Sequence, residues 1–193
     1  MVPAAIAKWF LMWRKSLKNK KEINLENFWH QHEYFTENYV EKTLTDEMVS
    51  TTESKLGYRL PESYIELMKI QNGGKPIKNY WINEYAKGNE VEEIGITGFF
   101  GIGSKKSHSI FGEYGNEFWF TEWEYPRDIG IIIADTESGG HDMIYLDYRD
   151  CGNEGEPKVS VCFQEYDYEI QVLANSFEEF ITMLVSEGKL CSR

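Results

Sequence analysis

Cysteine is scarce in this chain: Cys151, Cys162 and Cys191 are the three among 193 residues, an odd set without CxxC spacing. Neither a disulfide framework nor a zinc site is expected from them, and a reducing cytoplasm suits them best. Proline is rare too, at five residues, and no repeat, low-complexity tract or Pro/Gly/Ser linker divides the sequence. One domain over residues 23–193 is therefore expected behind a leader at 1–22, where the composition changes. No apolar run approaches the ~20 residues that cross a bilayer. The nearest, MVPAAIAKWFLMW, is broken by Lys8 and has its basic cluster after the apolar stretch, so neither a secretion signal nor a membrane span is expected. Basic residues are the minority, 20 Lys and Arg against 32 Asp and Glu, for a net charge of −12. Residues 1–22 carry +5, which leaves −17 on the remainder. A body of that sign repels phosphate backbones and steers a cationic partner toward itself, so no direct contact with nucleic acid is expected.

The leader places Ile6, Trp9, Phe10, Trp13 and Leu17 on one helical stripe, with Lys8, Lys15 and Lys18 off it. That is an amphipathic helix able to dock on the body or a partner, or to touch an anionic membrane surface. A second helix is predicted over 24–35, capped by Asn24. A third runs from an N-cap at Thr45, with Asp46 and Glu47 in its first turn, to a stop at Gly57. A fourth starts with Pro61 at its first position and stops at Asn72-Gly73-Gly74. The period then shortens to that of strands, and six are predicted: 96–103, 117–123, 129–134, 142–148, 158–163 and 168–174. Ser176 and Glu179 form a capping box for a last helix ending at Gly188, with Phe177, Phe180, Ile181, Leu184 and Val185 on one face. Helices, then strands, then a helix read as α+β, with a mixed, mostly antiparallel sheet.

Several segments together resemble the SUKH superfamily in its SMI/KNR branch: Leu60-Pro61 at a helix start, Asn72-Gly73-Gly74 at its stop, and Gly139-Gly140-His141-Asp142 in a hairpin loop. Leu146-Asp147-Tyr148, Pro157 and Val159, and the pair Phe177/Phe180 continue the pattern, which spans about residues 36–186. The resemblance implies an α+β domain that acts by binding. Bacterial members are mostly immunity proteins that neutralise polymorphic toxins, many of them nucleases. Fungal relatives are implicated in regulating cell-wall synthesis through protein partners, and neither group is known for an enzymatic mechanism.

No catalytic, cofactor or metal site is predicted. Asp135, His141, Asp142 and Asp147 gather near one loop and invite a metal or acid/base reading, but adjacent strand residues face opposite ways and Asp beside a glycine turn commonly binds loop backbone. His30 and His32, two apart on a predicted helix, face different sides. Gly101-Ile102-Gly103 opens neither GxGxxG nor a phosphate loop, despite Lys105 and Lys106. The segment 80–125 is richer, with aromatics interleaved with carboxylates. Tyr80, Trp81, Glu84, Glu113, Tyr114, Glu117, Trp119, Glu122, Trp123 and Glu124 are the candidate partner-binding residues, since Trp and Tyr anchor interfaces and acids steer basic partners. The expected function is a cytoplasmic, non-catalytic immunity protein that binds a cognate, basic toxin. A regulatory scaffold tethered by the leader is the alternative.

Overall fold

The computed structural model describes residues 27–83, 86–88 and 92–187. The leader helix, Glu84 and Gly188 lie outside the described residues. Five helices and a six-stranded sheet are described, in the order α1 (Glu33–Asn38), α2 (Asp46–Leu56), α3 (Glu62–Ile70), β1 (Tyr80–Ile82), β2 (Glu93–Phe99), α4 (Asn116–Glu122), β3 (Gly130–Thr136), β4 (Asp142–Asp147), β5 (Lys158–Phe163), a 3-10 turn at Gln164–Tyr166, β6 (Glu169–Ala174) and α5 (Phe177–Met183). The sheet is a meander in which every strand pairs antiparallel with the next. The chain is thus α+β as its sequence predicts, without a parallel pair among the described strands.

The helix ends follow their caps. Thr45 Oγ accepts from Met48 N at 3.2 Å, and α2 stops at Gly57 in the left-handed region. Ser176 Oγ accepts from Glu179 N at 3.1 Å, while the Glu179 carboxylate takes the N–H of Asn175 at 2.7 Å, closing the capping box one residue early. Pro61 sits at the N-cap of α3, one place before its predicted position.

Four predicted elements are corrected. Of the helix predicted over 24–35, residues 24–26 with the Asn24 cap lie outside the described residues, and among the rest α1 begins only at Glu33, because His32 caps it by accepting from Tyr34 N. Trp29 is instead extended, bridging Pro76 and packing edge-on against Phe28 and Phe99. The strand at 117–123 is α4. The strand over 96–103 is β2, which starts at Glu93 and ends at Phe99, and β1, the partner of β2, was missing from the prediction. The last helix stops at Met183 because Leu184 turns extended, so that Val185 exchanges both backbone hydrogen bonds with Tyr80.

Alternation along the strands gives the sheet two different faces. Phe99, Ile131, Ala134, Ile144, Leu146, Val159 and Val161 share one face by register. Phe177 and Phe180 of α5 cover it, with the Phe99 ring 5.8 and 6.4 Å from theirs, and Tyr64 of α3 meets Phe177 at 5.0 Å. The opposite face carries Asp135, Tyr145, Asp147, Ser160 and Cys162. It is covered by α4 and the segments around Tyr39, His108, Tyr125 and Tyr168.

Two buried asparagines hold the irregular parts to this frame. The Asn116 amide accepts from Ile132 N and donates to Ile132 O, both at 2.8 Å, where β3 runs beyond the last β2 pair, Phe99 with Ala134. Asn72 does the same for Ile102, accepting from its N at 2.7 Å and donating to its O at 3.0 Å. Asn72 is therefore a clamp as well as part of a helix stop. Gly73 beside it has φ +100, and a Cβ there would stand 2.4 Å from the Tyr39 carbonyl, so neither the backbone angle nor the space admits another residue.

Candidate interaction face

The segment 113–125 is built around Trp119, which α4 turns inward. Its Nε1 donates to Tyr114 O at 2.9 Å, and its ring lies on Gly140, where a Cβ would come within 2.7 Å. Tyr125 OH donates to Gly140 O at 2.8 Å, and Tyr168 OH donates to Trp123 O at 2.7 Å. The Gly139-Gly140 loop, the end of α4 and the 3-10 turn thus lock into one ridge. His141 joins it, edge-on to Trp123 at 5.7 Å and 3.5 Å from a Glu165 carboxylate oxygen.

The ridge is where the backbone is strained. Glu124, Asp167 and Tyr168 are the non-glycine residues with positive φ among those described, at 56°, 56° and 59°, and all three lie here. Such conformations cost of order 1–3 kcal/mol each and persist where surrounding contacts impose them, often at functional sites. Tyr114 and Tyr166 are exposed on the same segments, with Trp123 half-buried, and Glu113, Glu122, Glu124, Glu165 and Asp167 stand in solvent around them.

Nine of the ten predicted contact residues are described and fall into two groups; Glu84 lies outside the described residues. Glu113, Tyr114, Glu117, Trp119, Glu122, Trp123 and Glu124 come together on and around α4, whereas Tyr80 and Trp81 lie on the edge strand β1. Trp81 is 3 % exposed and Trp119 7 %, so both are packing residues that offer a partner little surface. Tyr80 OH is engaged by Glu137 at 2.6 Å. Glu117 is bound bidentately by Arg127 at 2.7 and 2.8 Å, and that guanidinium holds its carboxyl below the usual range. Its charge is spoken for, unlike those of Glu122 and Glu124 in the contacts described. Tyr166 and Glu165 were missed, since a three-residue 3-10 turn has no periodicity to betray it.

Asp135 and His141, adjacent to one loop in sequence, serve different neighbourhoods. Asp135 is buried and accepts from Tyr39 OH at 2.7 Å, and the Tyr39 ring stacks on His108 at 4.2 Å and 15°. His108 Nε2 is 3.9 Å from the same carboxylate oxygen. The other oxygen, Oδ1, has no well-aligned donor, although the backbone N–H groups of Gly98 and Asp135 lie near enough to favour its charge. Burial outweighs these contacts and raises the carboxyl to about 7, while burial also lowers His108 to about 4. Asp142 is raised by burial as well. Asp147 is held low by Arg149 and Ser160 Oγ against the opposing effect of its burial. No group of three or more His, Cys, Asp or Glu able to hold a metal occurs among the described residues.

The Gly101–Ser109 loop does present backbone donors to an anion, and the anion is the chain's own. Glu41 Oε1 accepts from Lys105 N, from Lys106 N at 3.0 Å and from Ser109 Oγ at 2.9 Å. No spacing pattern links Glu41 to a loop more than sixty residues away, which is why sequence reading could not find it.

Compared with known families, residues 43–183 match the model of the SMI1 / KNR4 family (SUKH-1). The ridge, Asp135 and His141 lie inside the matched range, while Tyr39 and Glu41 lie before it. No curated protein matches the chain. Among the described residues no helix is long and apolar enough to cross a membrane.

Proposed function

The chain belongs to the SMI1 / KNR4 family (SUKH-1), a family compatible with immunity and regulatory roles, and from that premise we propose that it is a non-catalytic binding protein that neutralises a cognate, basic toxin by direct contact. The observation that carries the choice of surface is the ridge: Tyr114, Trp123 and Tyr166 as anchors, surrounded by Glu113, Glu122, Glu124, Glu165 and Asp167. Aromatics that become buried on contact supply affinity, and exposed carboxylates speed encounter with a basic surface and pair with its Lys and Arg. The acidity of the body, −17 outside the leader, extends the same steering field.

Co-expression with the toxin domain encoded by the neighbouring gene should restore growth, and the complex should weaken as salt rises. Charge reversal by Glu122→Lys with Glu124→Lys should remove protection while the protein still folds. Protection that survives this double reversal together with Trp123→Ala would place the contact elsewhere. A regulatory scaffold is the second reading, supported by the amphipathic, +5 segment 1–22. Deletion of 1–22 should then abolish localisation with the fold intact, whereas an immunity protein should keep its toxin affinity.

A further inference from the structure

A second site stands apart from the ridge in its chemistry. Between α2 and the Gly101–Ser109 loop lies an open cavity of about 410 Å³, lined by Lys42, Lys55 and Lys105, by the acidic residues Glu41 and Glu47, by Met48 and Phe111, and by the hydroxyl residues Thr45, Thr51, Thr52 and Ser104. That volume is within the range of small-molecule sites. The cations of the described salt bridges, Lys69, Lys75, Arg127, Arg149 and Lys158, all lie elsewhere. Lys42, Lys55 and Lys105 form no ion pair among the described residues, and in this acidic protein the three are gathered around one cavity. Lys55 is already positioned, its Nζ 5.2 Å from the centre of the Phe111 ring.

Glu41 gives the cavity wall a fixed acceptor. The residue is 5 % exposed, and its Oε1 is saturated by the loop donors, whereas Oε2 accepts no hydrogen bond from the described residues. That second oxygen keeps its accepting capacity for a ligand N–H or O–H at the cavity. Three ammonium groups act as point charges suited to a dianion.

We propose that this cavity binds a small phosphomonoester whose phosphate sits among Lys42, Lys55 and Lys105 and whose hydroxyl or amino group donates to Glu41 Oε2. The site is independent of the toxin-binding reading, and its occupancy is measured without a partner protein. Titration calorimetry on the full chain with ribose 5-phosphate, adenosine monophosphate, ribose and inorganic phosphate separates the contributions. One or both phosphomonoesters should bind saturably, with ribose and inorganic phosphate each weaker by about tenfold or more. Lys55→Met and Lys105→Met, both at exposed positions, should each weaken the phosphomonoester about tenfold with the thermal midpoint unchanged. Saturable binding that ignores both lysine variants, tight binding of inorganic phosphate alone, or no binding of either phosphomonoester up to ~10 mM overturns the proposal.

Discussion

The two faces of the sheet are built from opposite materials. Under α3 and α5 the strands present hydrocarbon alone, Phe99, Ile131, Ile144, Leu146, Val159 and Val161 against Leu67, Phe177 and Phe180, all of them fully buried. Across the same strands, one residue out of phase, lie Asp135, Tyr145, Asp147, Ser160 and Cys162, covered by tyrosines, tryptophan and histidine. The first face is a stability element with no polar group needing a partner. The second is a polar core in which some demands are met, as at Asp147, and others are left open, as at Asp135 Oδ1 and Tyr145 OH. Strain and exposure concentrate above the second face, at the ridge, so the surface proposed to bind is backed by the polar side of the sheet.

Truncation on the hydrocarbon face should have the largest effect. Phe177 is completely buried and touches the rings of both Tyr64 and Phe99, so Phe177→Ala should lower unfolding free energy by about 3–5 kcal/mol, measured by chemical denaturation. A loss below about 1 kcal/mol would mean that this face is not the main store of stability.

The polar face should instead reveal itself through pH. Asp135 is raised from 3.8 to about 7, so the folded state keeps a proton that the unfolded state releases. Its contribution is complete below pH 3.8 and is lost as pH climbs to about 7. His108, lowered from 6.5 to about 4, has the reverse sign: its contribution is complete above 6.5 and is lost as pH falls toward 4. The two oppose each other through most of this window and flatten the wild-type profile. Asp135→Asn should remove the main opposing carboxyl, leaving the raised Asp142 as a smaller one, so that stability rises with the histidine from pH 4 to 6.5, and should stabilise the protein by roughly 1–3 kcal/mol at pH 8. Denaturation midpoints across pH check both signs; a variant profile as flat as the wild type would remove Asp135 from the account.

A milder test concerns Tyr145, whose buried hydroxyl has no hydrogen-bond partner. Tyr145→Phe removes that polar atom while keeping the ring against Phe120 and Tyr125, and should be neutral or stabilising by up to about 1 kcal/mol. Destabilisation by more than about 1 kcal/mol would show that the hydroxyl has an acceptor or a water after all.

The hydrocarbon face was the legible one. Its central run, residues 129–134, is continuously apolar, and the helices over it have starts that a sequence states outright: Pro61 for α3, Ser176 with Glu179 for α5. The polar face is made by side chains that meet across long stretches of chain, Tyr39 with Asp135 and Glu41 with the 105–109 loop, and local pattern contains no trace of such meetings. Glu117–Trp123 was misread for a physical reason. Phe118, Trp119 and Phe120 are all apolar, so period 2 fits as well as period 3.6 over so short a run. The discriminating signal needs one residue more, Asn116, which with Trp119 and Trp123 gives spacings of three and four along the face that carries the buried Asn116 and Trp119 and the half-buried Trp123. In the candidate site, residue type identified the segment but not the orientation. Acidic positions around α4 are exposed as an interface needs, while two of the tryptophans chosen as anchors are buried in packing.

The smallest expected effect is the one that ties strain to the ridge. Glu124 follows α4 with φ 56°, its side chain is exposed, and no described hydrogen bond or ion pair fixes it there. A left-handed glutamate costs roughly 1 kcal/mol relative to glycine at the same angles. Glu124→Gly should therefore stabilise the fold by about 0.5–1 kcal/mol, less than the strain itself because glycine also loosens the unfolded chain. Glu124→Gln supplies the control, removing the charge and retaining the strain. Toxin affinity lowered by both variants points to the carboxylate as a contact, and affinity lowered by glycine alone points to the imposed backbone that aims Trp123. Stability unchanged by glycine would mean that the ridge stores no strain at Glu124 and that the two faces differ in composition only.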